Sequence, residues 1–470
     1  MSEKDSKKAI KFGTDGWRGI LADDFTFANV RVVTKAIGEY IKKSGKNETI
    51  VIGHDVRFLG KELTKISSEV LIEMGISSFV FDRPMPTPVT AFAIKEMNAT
   101  GAIMFTASHN PPEYQGIKFI ADYGGPANTE ITKAIESAID NNGQRRIKGN
   151  GATVKVVSVL DEYWKHLGRI IDFELIRREE LRVIVDPMYG AGAGLLSGRL
   201  KDICKDVYSI HDYFDPNFGG HNPDPNELGL SDLTAEVIAR SADAGLALDG
   251  DGDRFGIVDS LGVYLSPNQV ISLLAYYLLS KRGFKGKVAR TVATTHLLDD
   301  ISEDLGEGSV ETPVGFKWIC EEMLNGDIVI GGEESGGLSI KGHIPEKDGI
   351  LACFLVLEML AEFKKEPLSK ILDRVQDRYG HRYGIRLDLR LSKERKEEVL
   401  EQFRNDPPGE IEGVSVSDVR TLDGIKLVLE DGDWILIRPS GTEPLVRTYI
   451  ESRSPERFLI LEKYSEKTIK

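Results

Sequence analysis

The strongest constraint on the fold is an alternation along the chain between short β-forming runs and longer segments with the period of a helix. Residues 50–53, 102–105 and 183–185 are short apolar runs, whereas residues 29–42 and 62–74 carry apolar side chains at helical spacing. Strands that alternate with helices usually pair in parallel and are buried on both faces. The sequence therefore predicts α/β domains with mixed, mostly parallel sheets.

The length of the chain predicts several domains, because single hydrophobic cores stop growing well below 470 residues. From residue 379 the pattern changes to alternating strands around one amphipathic helix at residues 393–404, which is typical of a smaller α+β domain. We predict three α/β domains and a C-terminal α+β domain, with boundaries at 1–165, 166–264, 265–378 and 379–470.

Charge and cysteine content exclude several classes of protein. The formal net charge is -14 and no Lys/Arg block occurs, which argues against a nucleic-acid-binding surface. Three widely spaced cysteines indicate neither a disulfide framework nor a zinc site.

The most apolar helical stretch, residues 350–363, contains Glu358 and is shorter than the roughly 20 residues of a membrane span. We expect a cytoplasmic protein without membrane partners, and a buried helix at 350–363.

A first candidate site is the polar segment 106–112, which follows an apolar run and ends in two prolines. The prolines prevent a helix from starting, so the sequence predicts that Ser108 lies on an exposed turn. His109 and Lys118 are nearby groups that could assist attack by its hydroxyl. A turn whose polar side chains only satisfy the backbone fits the segment equally well. An esterase elbow is disfavoured, because no Gly-x-Ser-x-Gly surrounds Ser108.

A second candidate site consists of Asp249, Asp251 and Asp253, which alternate with glycines directly after an apolar run. Carboxylates at this spacing in a tight turn can converge on one hard cation, and Mg²⁺ suits such an oxygen set. An EF-hand is disfavoured, because Arg254 and Ser260 stand where that loop needs glycine and glutamate. A solvated acidic turn is the weaker alternative, since the three charges repel without a cation.

A third candidate is the glycine-rich segment 331–337, again after an apolar run. Glu333 and Ser335 can bind vicinal sugar hydroxyls while the glycines let the backbone approach. A plain glycine-rich turn is the alternative interpretation.

A fourth candidate is the segment 438–444, which follows a predicted strand. The guanidinium of Arg438, the hydroxyls of Ser440 and Thr442, and the more distant Arg447 form a suitable set for binding a phosphate. A P-loop is excluded, because its Gly-x-x-x-x-Gly-Lys-Ser/Thr signature does not occur in the chain.

Two further cations lie in turns near candidate segments. Arg18 sits in a glycine-rich segment near the N-terminus, and Lys317 follows Gly315 and Phe316. Either can meet an anion, although a structural ion pair is an equally good interpretation of Arg18. Residues 190–194 lack the spacing of a dinucleotide fingerprint, since Leu195 occupies the third glycine position.

The order of these segments resembles the α-D-phosphohexomutase family, which includes phosphoglucomutase, phosphomannomutase and phosphoglucosamine mutase. The matching segments are 12–19, 106–118, 249–254, 332–337 and 438–444. Their joint occurrence is much more specific than any single segment. The resemblance covers nearly the whole chain.

The resemblance implies three related α/β domains and a C-terminal α+β domain around a central cleft. It also implies a role for each candidate residue. Ser108 would be the phosphoserine, and the Mg²⁺ ligands would be Ser108, Asp249, Asp251 and Asp253. Groups acting beside the phosphoserine would be His109, Lys118, Arg18 and Arg254. Substrate-binding residues would be Lys317, Glu333, Ser335, Arg438, Ser440, Gly441, Thr442 and Arg447.

The implied activity is interconversion of glucose 1-phosphate and glucose 6-phosphate, through a phosphoserine enzyme and a glucose 1,6-bisphosphate intermediate. Gly337 stands where many mannose- or glucosamine-handling members carry histidine, and residues 333–337 together with residues 341–349 look most like those of a prokaryotic phosphoglucomutase. A phosphomannomutase or phosphoglucosamine mutase is the alternative, followed by a non-catalytic sugar-phosphate-binding protein or a phosphatase. The expected partners are small-molecule hexose phosphates, and the expected state is a monomer or homodimer.

Overall fold

The computed structural model describes residues 10–13, 16–140, 151–439 and 445–469. These residues form four sheets, here named sheet one to sheet four in chain order, with helices packed against them. Among the described residues, no helix is both long enough and apolar enough to cross a membrane.

Sheet one has strand order β1-β5-β4-β2-β3-β6. Its strands are β1 (Trp17–Ile20), β2 (Thr49–His54), β3 (Ser77–Val80), β4 (Gly101–Phe105), β5 (Tyr114–Ala121) and β6 (Val154–Val156). The helices along this part of the chain are α1 (Phe27–Ser44), α2 (Gly60–Glu73), α3 (Thr87–Glu96) and α4 (Thr129–Asp140). Strand β5 runs antiparallel to both β4 and β1, whereas the other pairings are parallel.

Sheet two has strand order β11-β10-β9-β7-β8. Its strands are β7 (Arg182–Asp186), β8 (Asp206–Ser209), β9 (Ala244–Leu248), β10 (Phe255–Asp259) and β11 (Tyr264–Leu265). The helices here are α5 (Leu160–Ile170), α6 (Phe173–Arg178), α7 (Leu196–Leu200) and α8 (Ser231–Arg240). Residues 190–194 lie between β7 and α7.

Sheet three has strand order β13-β12-β14-β15. Its strands are β12 (Lys287–Thr291), β13 (Ser309–Thr312), β14 (Ile328–Gly332) and β15 (Leu338–Ile340). The helices here are α9 (Pro267–Ser280), α10 (Leu297–Asp304), α11 (Phe316–Asn325), α12 (Gly349–Glu362) and α13 (Leu368–Tyr379). Helix α9 begins at a capping box in which Ser266 and Gln269 satisfy each other's backbone N–H groups.

Sheet four is antiparallel throughout, with strand order β16-β21-β20-β19-β18-β17. Its strands are β16 (Tyr383–Arg390), β17 (Glu410–Ile411), β18 (Val414–Arg420), β19 (Ile425–Leu429), β20 (Trp434–Pro439) and β21 (Leu445–Ser452). Helices α14 (Lys393–Asn405) and α15 (Pro455–Ile469) complete this α+β unit. The predicted change of pattern after residue 379 is thereby confirmed.

The first three sheets share one arrangement of four strands. The orders β3-β2-β4-β5, β8-β7-β9-β10 and β13-β12-β14-β15 each join three parallel strands to one antiparallel strand. The candidate segments that contain Ser108, Asp249 and Glu333 lie in equivalent connections, between the last parallel strand and the antiparallel strand. This finding confirms the predicted mixed sheets, while the residue boundaries of the four domains stay a prediction.

The main core is built around helix α12. Its residues from Gly349 to Ala361 are all buried, including Glu358, so the predicted buried helix at 350–363 is confirmed. The apolar cluster around α12 extends through α5 to strands of the first three sheets. Because burial of apolar surface is the main stabilising term in folding, this shared cluster fixes the sheets relative to one another.

Candidate active site

Ser108 lies at the meeting point of sheets one and two. It follows β4, and its hydroxyl donates a 2.7 Å hydrogen bond to Oδ2 of Asp249, which follows β9. The prediction of an exposed turn is wrong, because Ser108 is only 1% exposed. The loop after β9 covers it: a side chain at Gly250 would approach the carbonyl oxygen of Ser108 to 2.8 Å. Glycine at this position therefore permits the close contact.

The three aspartates form one buried cluster. A ligand oxygen from each of Asp249, Asp251 and Asp253 lies within 4.8 Å of the others, and all three residues are fully buried. Oδ1 of Asp251 and Oδ1 of Asp253 have no hydrogen-bond partner among the described residues. Buried carboxylate oxygens without partners are costly, and a hard divalent cation would satisfy them. The donor set therefore fits Mg²⁺.

Two lysines hold the outer side of this cluster. Lys118 on β5 lies 3.0 Å from both Asp251 Oδ2 and Asp253 Oδ2, and Lys347 lies 3.0 Å from Asp253 Oδ2. The hydroxyl of Thr87 donates a 2.6 Å hydrogen bond to Asp251 Oδ2. These contacts involve the Oδ2 atoms of Asp251 and Asp253 and fix the orientation of both carboxylates, so that their Oδ1 atoms are preorganised as metal ligands.

The electrostatic environment shifts the pKa values of Asp249 and Asp253 in opposite directions. Burial raises the pKa of Asp249 well above its ordinary value, and the charges of Asp251 and Asp253 raise it further. Burial acts in the same direction on Asp253, but Lys118 and Lys347 outweigh it and lower the pKa of Asp253. Additional positive charge at this site, such as a divalent cation, would favour the ionised form of Asp249.

His109 lies beside Ser108 but is held in its neutral form. Its Nδ1 is 3.5 Å from Ser108 Oγ. The positive charge of Arg254, then burial, then the charge of Arg18 lower the pKa of His109 well below its usual value. An imidazole in this state is a weak base, so a positively charged His109 is not expected at neutral pH.

Arg18 and Arg254 both bring positive charge to the serine loop. Arg18, on β1, donates a 2.6 Å hydrogen bond to Oδ1 of Asn110. Arg254 follows the aspartate cluster, and its backbone N–H donates to Asp249 Oδ1 at 3.1 Å. The charges of both guanidinium groups act on His109. The structure thus brings the charges of both arginines to the loop that contains Ser108.

The candidate sugar-binding loop connects β14 and β15. Oε1 of Glu333 accepts a 3.0 Å hydrogen bond from the backbone N–H of Gly315, which directly precedes α11 and lies two positions before Lys317. Ser335 is half-buried in the same loop. The structure therefore brings the candidate loop and the segment of the candidate lysine together.

The candidate phosphate-binding arginines face each other across two strands of sheet four. Arg438 on β20 and Arg447 on β21 are directly paired in register. Two neighbouring guanidinium groups offer several donors to a phosphate, and a carboxylate lies close to each of them, Asp423 to Arg438 and Asp388 to Arg447. Arg438 Nε donates a 2.8 Å hydrogen bond to Asp423. Ser440, Gly441 and Thr442 lie outside the described residues.

Sequence reasoning missed three residues that contact the site: Arg57, Thr87 and Lys347. Arg57 follows β2, the neighbour of β4, so its position after a strand was an available signal. Thr87 and Lys347 reach the aspartate cluster from other parts of the chain, the first from α3 and the second from the segment before α12, which no local pattern indicates.

The chain matches the four family models of phosphoglucomutase/phosphomannomutase. The α/β/α domains I, II and III match residues 9–146, 161–262 and 266–379, and the C-terminal domain matches residues 389–462.

Individual relatives match over almost their full length. A phosphoglucomutase/phosphomannomutase of Thermococcus kodakarensis is 31% identical over 95% of each chain. A probable phosphoglucosamine mutase of Pyrococcus horikoshii is 34% identical over 98% of this chain and 97% of its own. A crystal structure from Thermus thermophilus, provisionally named phosphomannomutase, has a TM-score of 0.86 and 36% identity, with 98% of this chain and 99% of that chain covered. Together with four matching domains in the same order, these relatives show that the chain belongs to the phosphoglucomutase/phosphomannomutase family of α-D-phosphohexomutases.

Proposed function

We propose that this chain is a metal-dependent phosphohexomutase in which Ser108 carries the transferred phosphoryl group. The observation that carries the proposal is the 2.7 Å contact between Ser108 Oγ and Asp249, inside a fully buried cluster of three carboxylates. A serine hydroxyl beside a cation site is the arrangement that phosphoryl transfer needs, because this reaction depends on positioning and on charge stabilisation.

In the proposed reaction, the phosphoryl group leaves Ser108 for one hydroxyl of a bound hexose phosphate. A bound Mg²⁺ would supply charge stabilisation for the transferring group. Asp249, Asp251 and Asp253 would hold this cation, and the guanidinium groups of Arg18 and Arg254 add positive charge beside the loop. The other sugar phosphate then returns a phosphoryl group to Ser108, which regenerates the starting enzyme and releases the isomer.

Substrate orientation would depend on sheets three and four. Glu333 would accept hydrogen bonds from the sugar hydroxyls, and the hydroxyl of Ser335 would accept or donate one, with Lys317 beside them. Arg438 and Arg447 would hold the phosphate that does not react, because their opposed positive charges suit a dianion. A bisphosphate intermediate must turn over between the two transfers, so both orientations would use the same arginine pair.

The choice of sugar is a separate part of the proposal. The resemblance of residues 333–337 and 341–349 to prokaryotic phosphoglucomutases favours glucose phosphates, but the names of relatives that match over nearly their full length favour the alternative of mannose or glucosamine phosphates. We therefore place mannose and glucosamine phosphates first and keep glucose phosphates as the comparison substrate.

The test is a set of coupled assays with glucose, mannose and glucosamine 1-phosphates, each with Mg²⁺ and a hexose bisphosphate primer. We expect isomerisation of at least one substrate, with the highest kcat/KM for mannose or glucosamine phosphate. Ser108→Ala is the matched inactive control. Binding without isomerisation would identify a sugar-phosphate-binding protein instead, and release of inorganic phosphate without isomer would identify a phosphatase.

A further inference from the structure

Arg57 lies beneath the serine loop and is almost completely buried. It follows β2, the parallel neighbour of β4, and is 2% exposed. Its guanidinium donates hydrogen bonds to four backbone carbonyl oxygens of one short segment. The acceptors are Ser108 and Asn110 through Nη2, and Pro111 and Tyr114 through Nη1.

The bond to Ser108 is one of the shorter ones in this set. Arg57 Nη2 lies 2.7 Å from the Ser108 carbonyl oxygen, and Nη1 lies 2.7 Å from that of Pro111. Four carbonyl dipoles that point to one spot repel each other without a donor between them. The planar guanidinium supplies several donors in a fixed fork, which a lysine ammonium cannot reproduce.

Asp55 orients Arg57 from the other side. The two side chains form an ion pair with 3.3 Å between Nε and Oδ2, and both are fully buried. On the other side of Ser108, Thr106 Oγ1 accepts the backbone N–H of Ser108 at 2.8 Å. Arg57 and Thr106 therefore hold the carbonyl and the amide of Ser108, respectively.

This support matters because the backbone of Ser108 is strained. Its φ is 51°, in the left-handed region that residues other than glycine rarely adopt. Such a conformation persists only when the surroundings impose it. In this conformation the hydroxyl of Ser108 meets Asp249. The contacts of Arg57 and Asp55 are the surroundings that impose it.

We propose that Arg57, oriented by Asp55, is a positioning residue for phosphoryl transfer. It keeps Ser108 in the conformation that places Oγ at the aspartate cluster, both when the serine is free and when it carries phosphate. The inference rests on the proposed function of Ser108. Arg57 contacts the serine loop, Asp55 and the ring of Phe218, and in this role it acts through the loop. Its loss should therefore slow the transfer steps and leave sugar binding nearly unchanged.

The test compares Arg57→Lys with Arg290→Lys in the full chain. Arg290 is equally buried, at 2% exposed, and forms ion pairs with Asp299 and Glu311 in the third α/β unit. Two quantities are measured: the rate at which glucose 1,6-bisphosphate phosphorylates the protein, followed by intact mass, and kcat and KM in the coupled assay. Thermal unfolding of each variant is recorded beside them.

For Arg57→Lys we expect phosphorylation and kcat to fall by about 10- to 100-fold, with KM changed less than about threefold. For Arg290→Lys we expect lower thermal stability with a wild-type phosphorylation rate. A wild-type phosphorylation rate in Arg57→Lys overturns the inference, and so does an equal loss in both variants.

Asp55→Asn tests the positioning role of Arg57 if Arg57→Lys does not fold. This variant preserves the shape of the side chain but removes the charge that orients Arg57, so a smaller fall in kcat with unchanged KM is expected. Wild-type kcat in Asp55→Asn then overturns the inference. Wild-type protein that neither accepts phosphate nor isomerises any substrate instead contradicts the proposed function itself, so the two failures are distinguishable.

Discussion

Ser108 Oγ and Asp249 Oδ2 are hydrogen-bonded at 2.7 Å, although 141 positions separate the two residues in the chain. Each residue closely follows a parallel strand, one in sheet one and the other in sheet two. The contact therefore exists only when the two sheets are docked against each other. It joins the proposed phosphoryl carrier to the proposed cation site.

Replacing Ser108 with alanine should abolish covalent phosphorylation. Oγ of Ser108 is the atom that would carry the phosphoryl group, and alanine has no oxygen at this position to accept it. Intact-mass measurement after incubation with glucose 1,6-bisphosphate should show one added phosphoryl group in wild type and none in Ser108→Ala. Ser44→Ala, at the end of α1, should behave like wild type. A phosphate retained in Ser108→Ala would place the carrier at another residue.

Replacing Arg438 with alanine should mainly weaken substrate binding. The proposed partner of Arg438 is the phosphate that does not react, so its interaction is the same in the ground state and the transition state. We expect KM to rise about 10- to 100-fold, from the loss of one charged hydrogen-bonding group, with a smaller change in kcat. Steady-state kinetics beside Arg404→Ala, at the exposed end of α14, would check this. An unchanged KM would remove Arg438 from the phosphate site.

Replacing Gly337 with alanine should displace Lys347. A Cβ at position 337 would lie 2.3 Å from Cδ of Lys347, whose ammonium group reaches Asp253. We expect a loss of about 1–3 kcal/mol in the free energy of unfolding, as for other overpacked sites, together with reduced activity. The measurement is a double-mutant cycle with Lys347→Ala. The stability cost of Gly337→Ala should largely disappear in the Lys347→Ala background, and a cost that persists there would refute the proposed clash.

The ion-pair network between sheets three and four predicts a loss of stability in mild acid. His296 Nε2 accepts a 2.7 Å hydrogen bond from Lys426, whose ammonium also lies 3.0 Å from Glu311. Burial, together with the charges of Lys426 and Arg290, lowers the pKa of His296 to about 4. Between about pH 6.5 and pH 4, the imidazole therefore binds a proton in the unfolded chain but not in the folded chain.

The free energy of unfolding should accordingly fall as the pH drops through that window, by up to about 2–3 kcal/mol from His296 alone. Urea titrations at pH 7 and pH 5 would measure this change. His296→Gln should show a smaller loss than wild type between the two pH values, because it has no imidazole to protonate. His221→Gln, at an exposed position, should match wild type. Equal pH dependence in all three proteins would exclude His296 as a source.

The local pattern of the chain predicted the elements and the loops well. Helices α1, α2 and α14 begin and end close to the expected residues, and α12 is as buried as its composition indicates. The loops with Ser108, Asp249 and Glu333 follow strands as predicted, since an apolar run ending in polar and glycine residues marks the carboxyl end of a strand.

Such local patterns could not predict the contacts between different sheets. Ser108 is buried by a loop of another sheet. The prolines and polar residues next to it in the sequence carry no information about that loop, so the prediction of an exposed Ser108 was wrong. Lys347 lies 94 positions from Asp253, yet its ammonium is 3.0 Å from that carboxylate. Only the docking of three sheets decides which distant cations reach the aspartate cluster.

The shared strand order of the first three sheets has a consequence for how such a site can change. One scaffold, used three times, presents a hydroxyl in the first copy, three carboxylates in the second and the carboxylate of Glu333 in the third. The strands contribute equivalent supports, and the chemical differences reside in a few loop positions. Under the proposed function, a new substrate preference can arise by exchanging residues in the third loop while the hydroxyl and the carboxylates of the other two copies keep their places.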